Sequence, residues 1–288
     1  LQPLGVDVKL CRFNGDRLGL VRDSAVFDIT DRFDRRMTWP APQGDFIAMQ
    51  IAADRELIAE PVEGQPTPIG ELCLQSPVAN PSKIIGAPIN YKAHIEEANA
   101  DAEISQGHTY TSLDRYGLFL KANSSLCGSG ESIRIRFDER RTDHEVELAV
   151  VIGRRCGHVE RKDALDYVLG YTVGLDLTVR GQEFPSFRKS PDTYCVLGPW
   201  LVTPDEAPNP NNLDLSLKVN GELRQASNTK AMIFDVQRLI EYASSFYTLY
   251  PGDVIMTGTP EGVGQVQPGD LLEATVENIG TMRVSIAA

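Results

Sequence analysis

Glu145 and Glu147 stand two residues apart at the head of an apolar run, Leu148-Ala149-Val150-Val151-Ile152. In a strand, residues i and i+2 face the same way, so both carboxylates project from one face beside a buried stretch. Such a pair repels itself, and burying either acid unpaired costs on the order of several kcal/mol. A divalent cation between them reverses the sign of that interaction. Asp176, in Gly174-Leu175-Asp176-Leu177-Thr178, is a third acid among strand-forming residues. An oxygen-only set of Glu145, Glu147 and Asp176 favours Mg²⁺ or Mn²⁺, with Ca²⁺ a further option, over Zn²⁺. The spacing alone is met equally by an exposed strand face at the two glutamates and a turn acid at Asp176.

His94 and Glu97 are neighbours on one helical face, so Glu97 can orient the imidazole as a base. A solvated helix face with an incidental histidine is the plainer alternative. The polar, irregular stretch 99–114 that follows is long enough to move over a site as a lid. His108, His144 and His158 lack a comparable partner and read as structural or surface residues. Thr257-Gly258-Thr259-Pro260-Glu261-Gly262-Val263-Gly264 brings backbone N–H groups and hydroxyls toward an anion, or is simply a tight turn. It lacks the Gly-Lys-Ser/Thr ending of a phosphate loop. Arg180, Lys189 and, more weakly, Lys121 can pair with a substrate carboxylate or with developing negative charge; surface salt bridges are the bland alternative.

These side chains need strands to hold them. Strand-like segments run over 83–88, 117–121, 131–136, 145–153, 170–178, 200–203, 213–219, 253–257, 270–276 and 281–286. Residues 6–30 alternate like half-buried strands around an Asn14-Gly15 hairpin turn. Helices are expected near 45–58, 91–99 and 162–169. The clearest is 236–247, where Val236, Leu239, Ile240 and Ala243 share a face behind Asp235 as N-cap. The expectation is a mixed β fold with some α: a small N-terminal β-rich domain over 1–78 and a catalytic domain over 79–288.

With 288 residues, 42% hydrophobic and 24% charged, the composition is globular and long enough for one large core. Lys and Arg number 28 against 40 Asp and Glu, a net charge of −12 that argues against nucleic acid as a partner. Five cysteines without a C-x-x-C pair suggest neither a disulfide framework nor a zinc knuckle and suit a reducing cytoplasm. No apolar run is long enough to span a bilayer, and Leu1-Gln2-Pro3-Leu4 has no secretion-signal pattern.

Taken together, Asn90-Tyr91-x-x-His94, Phe119-Leu120-Lys121, Asp143-x-Glu145-x-Glu147, Asp176-Leu177-Thr178-x-Arg180, Lys189-Ser190-x-Asp192-Thr193 and Pro251-Gly252-Asp253-Val254-Ile255-x-Thr257-Gly258-Thr259-Pro260 resemble the fumarylacetoacetate hydrolase superfamily, in its acylpyruvase and 2-hydroxyhepta-2,4-diene-1,7-dioate isomerase-like branch. The resemblance covers about 80–288. It implies a β-roll catalytic domain, a homodimer, and Mg²⁺ or Mn²⁺ on Glu145, Glu147 and Asp176. It also implies a His94–Glu97 lid dyad, Lys189 as a contact to substrate or transition state, and Thr259 on the substrate side; Arg180, Lys121 and Gly258 complete the expected pocket. The implied activity is hydrolysis of a C–C bond in a β-diketo or acylpyruvate-type oxo-acid through a metal-bound enolate, a step in oxo-acid catabolism. The same constellation serves oxo-acid decarboxylases, isomerases and sugar-acid dehydratases, and a catalytically silent oxo-acid-binding dimer is the rival from another class. The chain departs from many relatives at Gly181 after Arg180, at Ala122 and at Pro191, so its pocket and lid look individual.

Overall fold

The computed structural model describes residues 8–36 and 40–288. Positions 6 and 7, the start of the expected β region, and the opening Leu1-Gln2-Pro3-Leu4 lie outside the described residues. Among the described residues, a 12-stranded sheet forms the centre of the molecule. Its middle is antiparallel: Cys195–Val202 pairs with Val168–Asp176, which pairs with Val146–Ile152, which pairs with Val254–Met256. Val254–Met256 then runs parallel to Ile84–Gly86, and Phe119–Lys121 closes that edge. On the other side Lys9–Phe13 pairs with Cys195–Val202 and continues through Arg17–Arg22 to Ala25–Asp28. The N-terminal hairpin, turning at Asn14 and Gly15 with positive φ, therefore extends the same sheet that carries the acids, and residues on both sides of the 78/79 division share it.

The central strands are buried on both faces, as a near-continuous apolar sequence requires. Val146, Leu148, Val150 and Ile152 point into a core shared with the helix Val236–Phe246 and a four-stranded sheet built on Asp214–Val219 and Leu271–Val276. Asp235 caps that helix by accepting from the Arg238 N–H, as expected. Ala149 and Val151 point the other way, onto Ala48 and Ile51 of the helix Phe46–Ala53. The acids share this second face, because Glu147 lies directly opposite Gly174, two residues before Asp176.

Several segments differ from expectation. The strand over 145–153 is interrupted at Glu145: Thr142–His144 belongs to a small three-stranded sheet, and Val146–Ile152 to the large one. Its partner breaks in step, with Val168–Asp176 in the large sheet and Thr178–Val179 in the small one. No strand forms over 131–136, because Arg134 N–H donates to the Thr193 hydroxyl and Arg136 N–H to the Tyr194 hydroxyl instead of to a neighbouring backbone. The helix near 162–169 is a 3₁₀ segment, Arg161–Tyr167, that runs straight into the next strand, and the helix near 45–58 divides into Phe46–Ala53 and Glu56–Ala59. The stretch 99–114 contains a helical turn, Ala102–Ser105, capped by the Asp101 carboxylate, and Leu113–Tyr116 begins another.

Candidate metal centre

The corner where paired strands pass from one sheet to the other is where the acids gather. Glu145 sits in the break, its carbonyl accepting from Asp176 N–H at 2.9 Å, so the two chain segments are fixed to each other at this level. One carboxylate oxygen from each of Glu145, Glu147 and Asp176 lies within 4.8 Å of the others, and all three side chains are buried. The exposed strand face and turn acid that the spacing also allowed are thereby excluded.

Around them, four buried carboxylates, counting Asp143, face three buried cations, Lys121, Lys189 and Arg180. Lys189 Nζ donates to Glu145 Oε2 at 2.6 Å, Asp176 Oδ2 at 2.8 Å and Thr178 Oγ1 at 2.6 Å. Lys121 Nζ donates to Asp176 Oδ1 and to the carbonyls of Lys189 and Tyr194. Arg180 bridges Asp143, at 2.8 Å from Nε, and Glu145, at 3.1 Å from Nη2. Among the described residues, the acid left without a cationic partner is Glu147, which accepts there only from Gly258 N–H at 2.7 Å. Gly258 has φ +95°, and a Cβ there would lie 2.7 Å from that of Asn90, so this close approach of the loop to the acid requires glycine.

The titration behaviour follows. Burial acts to raise the Glu145 carboxyl, but Lys189 and Arg180 outweigh it and hold the group down near about 2. Burial, followed by the charge of Asp176, pushes Glu147 well above the usual carboxylate range. Burial opposes the charge on Lys189, yet Asp176 and Glu145 raise its pKa. The residues fit a hard divalent ion: the donors are all oxygen, they converge, and an ammonium group already bridges two of them as a cation would.

His94 and Glu97 lie on the helix Lys92–Ala100, with Nδ1 2.9 Å from Glu97 Oε2, and the histidine is close enough for its charge to act on Glu145. The other Glu97 oxygen accepts from Gly262 N–H at 2.9 Å, which ties the helix to the glycine loop. This dyad is buried at His94, unlike the solvated face that the sequence left open. Thr259 is adjacent, but its hydroxyl donates to Val146 O and accepts from Gln225 Nε2, so it is committed to the scaffold. Lys121 and Arg180, expected to face substrate, are likewise bonded to the acids here.

Sequence reasoning missed Gln225 and Arg141. Gln225 Oε1 accepts from Val146 N–H at 3.0 Å, between the two glutamates, while Nε2 donates to Thr259 Oγ1 and Pro260 O. His144 Nδ1 lies 3.1 Å from the same Oε1 and, facing an acceptor, must carry its hydrogen there. Arg141 donates to Asp143 through Nε and, through Nη1, to Asp101 and Glu103 at 2.9 Å each. A chain of alternating charge thus runs from Asp101 and Glu103 through Arg141, Asp143 and Arg180 to Glu145.

The chain belongs to the fumarylacetoacetate hydrolase family: residues 83–287 match the fumarylacetoacetate (FAA) hydrolase C-terminal model. It is similar to a maleylpyruvate hydrolase of Aquipseudomonas alcaligenes, 50% identical over 284 residues that cover 97% of this chain and 99% of that protein. A crystal structure of maleylpyruvate hydrolase from Sphingobium sp. SYK-6, in complex with manganese(II) ion and pyruvate, matches with TM-score 0.80 at 35% identity, covering 97% of this chain and 98% of that one. A 2-hydroxyhepta-2,4-diene-1,7-dioate isomerase from Mycobacterium marinum matches with TM-score 0.74 at 28% identity, over 97% and 98% of the two chains. Family and mixed fold therefore stand as the residues implied.

Proposed function

We propose that this protein is a divalent-metal-dependent hydrolase that cleaves a C–C bond in an acylpyruvate-type oxo-acid, with maleylpyruvate the substrate to test first. The observation that carries this is the convergence of Glu145, Glu147 and Asp176 within 4.8 Å beside the His94–Glu97 pair. Mg²⁺ or Mn²⁺, held by those three carboxylates, supplies a Lewis acid that polarises the oxygens of the substrate's pyruvoyl head. Every other task falls to the chain. His94, oriented by Glu97, takes a proton from the attacking water. Lys189, whose ammonium contacts both Glu145 and Asp176, stabilises negative charge arising on the departing fragment. Lys121 and Arg180 hold Asp176 and Glu145 in place, and Gly258 N–H aims Glu147. The intact dyad supports hydrolysis over decarboxylation, which needs no activated water.

We assign catalysis to 79–288, which contains every candidate site residue, and a supporting role to 1–78. A cytoplasmic homodimer is the proposed form. Support for the compartment comes from five cysteines without a disulfide, four of them buried, together with the absence among the described residues of any helix long and apolar enough to cross a membrane. The test is a panel of acylpyruvates, fumarylpyruvate, oxaloacetate and 2-keto-3-deoxy sugar acids with Mg²⁺ or Mn²⁺, scored for C–C hydrolysis, CO₂ release, isomerisation and dehydration. Hydrolysis of acylpyruvates alone is expected. Turnover in exhaustive chelator overturns the metal-dependent reading.

A further inference from the structure

We propose that a cavity beside the metal centre binds the far end of the substrate, and that Arg115 pairs there with a second carboxylate, making the protein selective for acylpyruvates that are diacids. This rests on the acylpyruvate reading above. The cavity has a volume of about 560 Å³ and is lined by Tyr110, Arg115, Tyr116, Phe119 and Phe184 among others. Phe119 connects it to the acids. On the strand Phe119–Lys121 the first and third residues are buried on one face, and Lys121 reaches Asp176 while the Phe119 ring lies 5.4 Å from Lys189 Nζ. Two residues along a strand is roughly 7 Å, a displacement suited to a short unsaturated acid extending from a head held at the metal.

The charges around the site leave Arg115 with this task. Lys121, Lys189 and Arg180 are bonded to the acids, Arg140 to Glu183 and Arg141 to Asp101, Glu103 and Asp143. Arg188 spends its guanidinium on the carbonyls of Glu183 and Val179. The Arg115 guanidinium has neither a hydrogen bond nor an ion pair among the described residues, although the chain carries a net charge of −12 and thus an excess of acids to meet it. The surrounding walls are aromatic. The Tyr110 and Tyr116 rings meet at a tilt, centroids 5.6 Å apart, with their hydroxyls donating to Ile104 O and Thr109 O, so the walls add apolar surface and little competing anionic charge. A guanidinium in such a setting matches a carboxylate in geometry and sign.

The experiment compares kcat/KM for maleylpyruvate, a diacid, and acetylpyruvate, which ends in a methyl group, in wild type, Arg115→Gln and Arg115→Lys with Mg²⁺. Arg115→Gln is expected to lower kcat/KM for the diacid roughly tenfold or more, mostly through KM, and to leave acetylpyruvate within about twofold. Arg115→Lys is expected to restore part of the diacid value. Equal loss on both substrates, or no loss on either, overturns the assignment of Arg115. If the wild type hydrolyses neither substrate, the acylpyruvate reading fails first, and that outcome is distinguishable because it precedes any comparison of variants.

Discussion

Raising the pH of the ion-free protein should tighten its hold on Mn²⁺, through Glu147. Burial, then Asp176 and Glu145, keep this carboxyl protonated well above its ordinary value of 4.5. The ion takes the carboxylate, so below the raised pKa each ion bound expels about one proton, and affinity rises about tenfold, or about 1.4 kcal/mol, per pH unit. Stability carries the same linkage with opposite sign. The folded ion-free chain keeps a proton that the unfolded chain loses near 4.5, so that contribution is full below this pH and is lost as pH rises toward the folded-state value. The ion-free protein should therefore lose up to about 1.4 kcal/mol per pH unit from this group across that window, and the Mn²⁺-saturated protein should not. Calorimetric titration with Mn²⁺ from about pH 6 to about pH 8, in buffers of different ionisation enthalpy, reads both the affinity and the proton count. A flat affinity with no proton released would refute the assignment of Glu147 as the acid that lacks a cation.

Other outcomes follow from single contacts. His94→Gln should lower kcat roughly 10²- to 10⁴-fold while Mn²⁺ affinity, read by calorimetry, stays near wild type, because the change removes a base and no ligand. Gln225→Glu keeps the shape but turns a donor toward Pro260 O into an acceptor, at a cost of about 1–3 kcal/mol that a denaturant titration will measure. Arg141→Leu removes the contacts that tie Asp101 and Glu103, in the segment 99–114, to Asp143. The pairs with Asp101 and Glu103 are partly solvent-exposed, but the change also takes a donor from the fully buried Asp143, so the stability loss should be about 1–3 kcal/mol, while hydrogen exchange over 101–105 should accelerate.

Strand alternation placed Glu145 and Glu147 on one face but left an exposed face equally open; the acid cluster became legible through its co-occurrence with motifs such as Asn90-Tyr91-x-x-His94 and Thr257-Gly258-Thr259-Pro260. The interruption at Glu145 was not legible. Residues 142–152 have strand character throughout, and the break arises only because His144 pairs with Gly264 while Val146 pairs with Leu175. Gln225 was hidden in the polar strand Glu222–Asn228, although Asn220-Gly221, both with positive φ, is a hairpin signal directly after the expected strand over 213–219. Arg141 could not be assigned from sequence, since its partners Glu103 and Asp101 are 38 and 40 positions away. The expected strand over 131–136 failed for the converse reason: Ile133, Ile135 and Phe137 do pack on the core, but backbone pairing stops at a single bridge between Ile133 and Ile286, and the Arg134 and Arg136 N–H groups donate to side chains.

Maleylpyruvate turned over in ¹⁸O-labelled water with Mg²⁺ offers the most direct measurement, because hydrolysis of the C–C bond places one solvent oxygen in the new carboxylate of the released acid. One ¹⁸O atom in maleate, with pyruvate formed in equal amount and both products abolished in Glu145→Gln, is the expected result. Unlabelled maleate, an isomer of unchanged mass, or CO₂ in place of pyruvate would contradict the hydrolytic account.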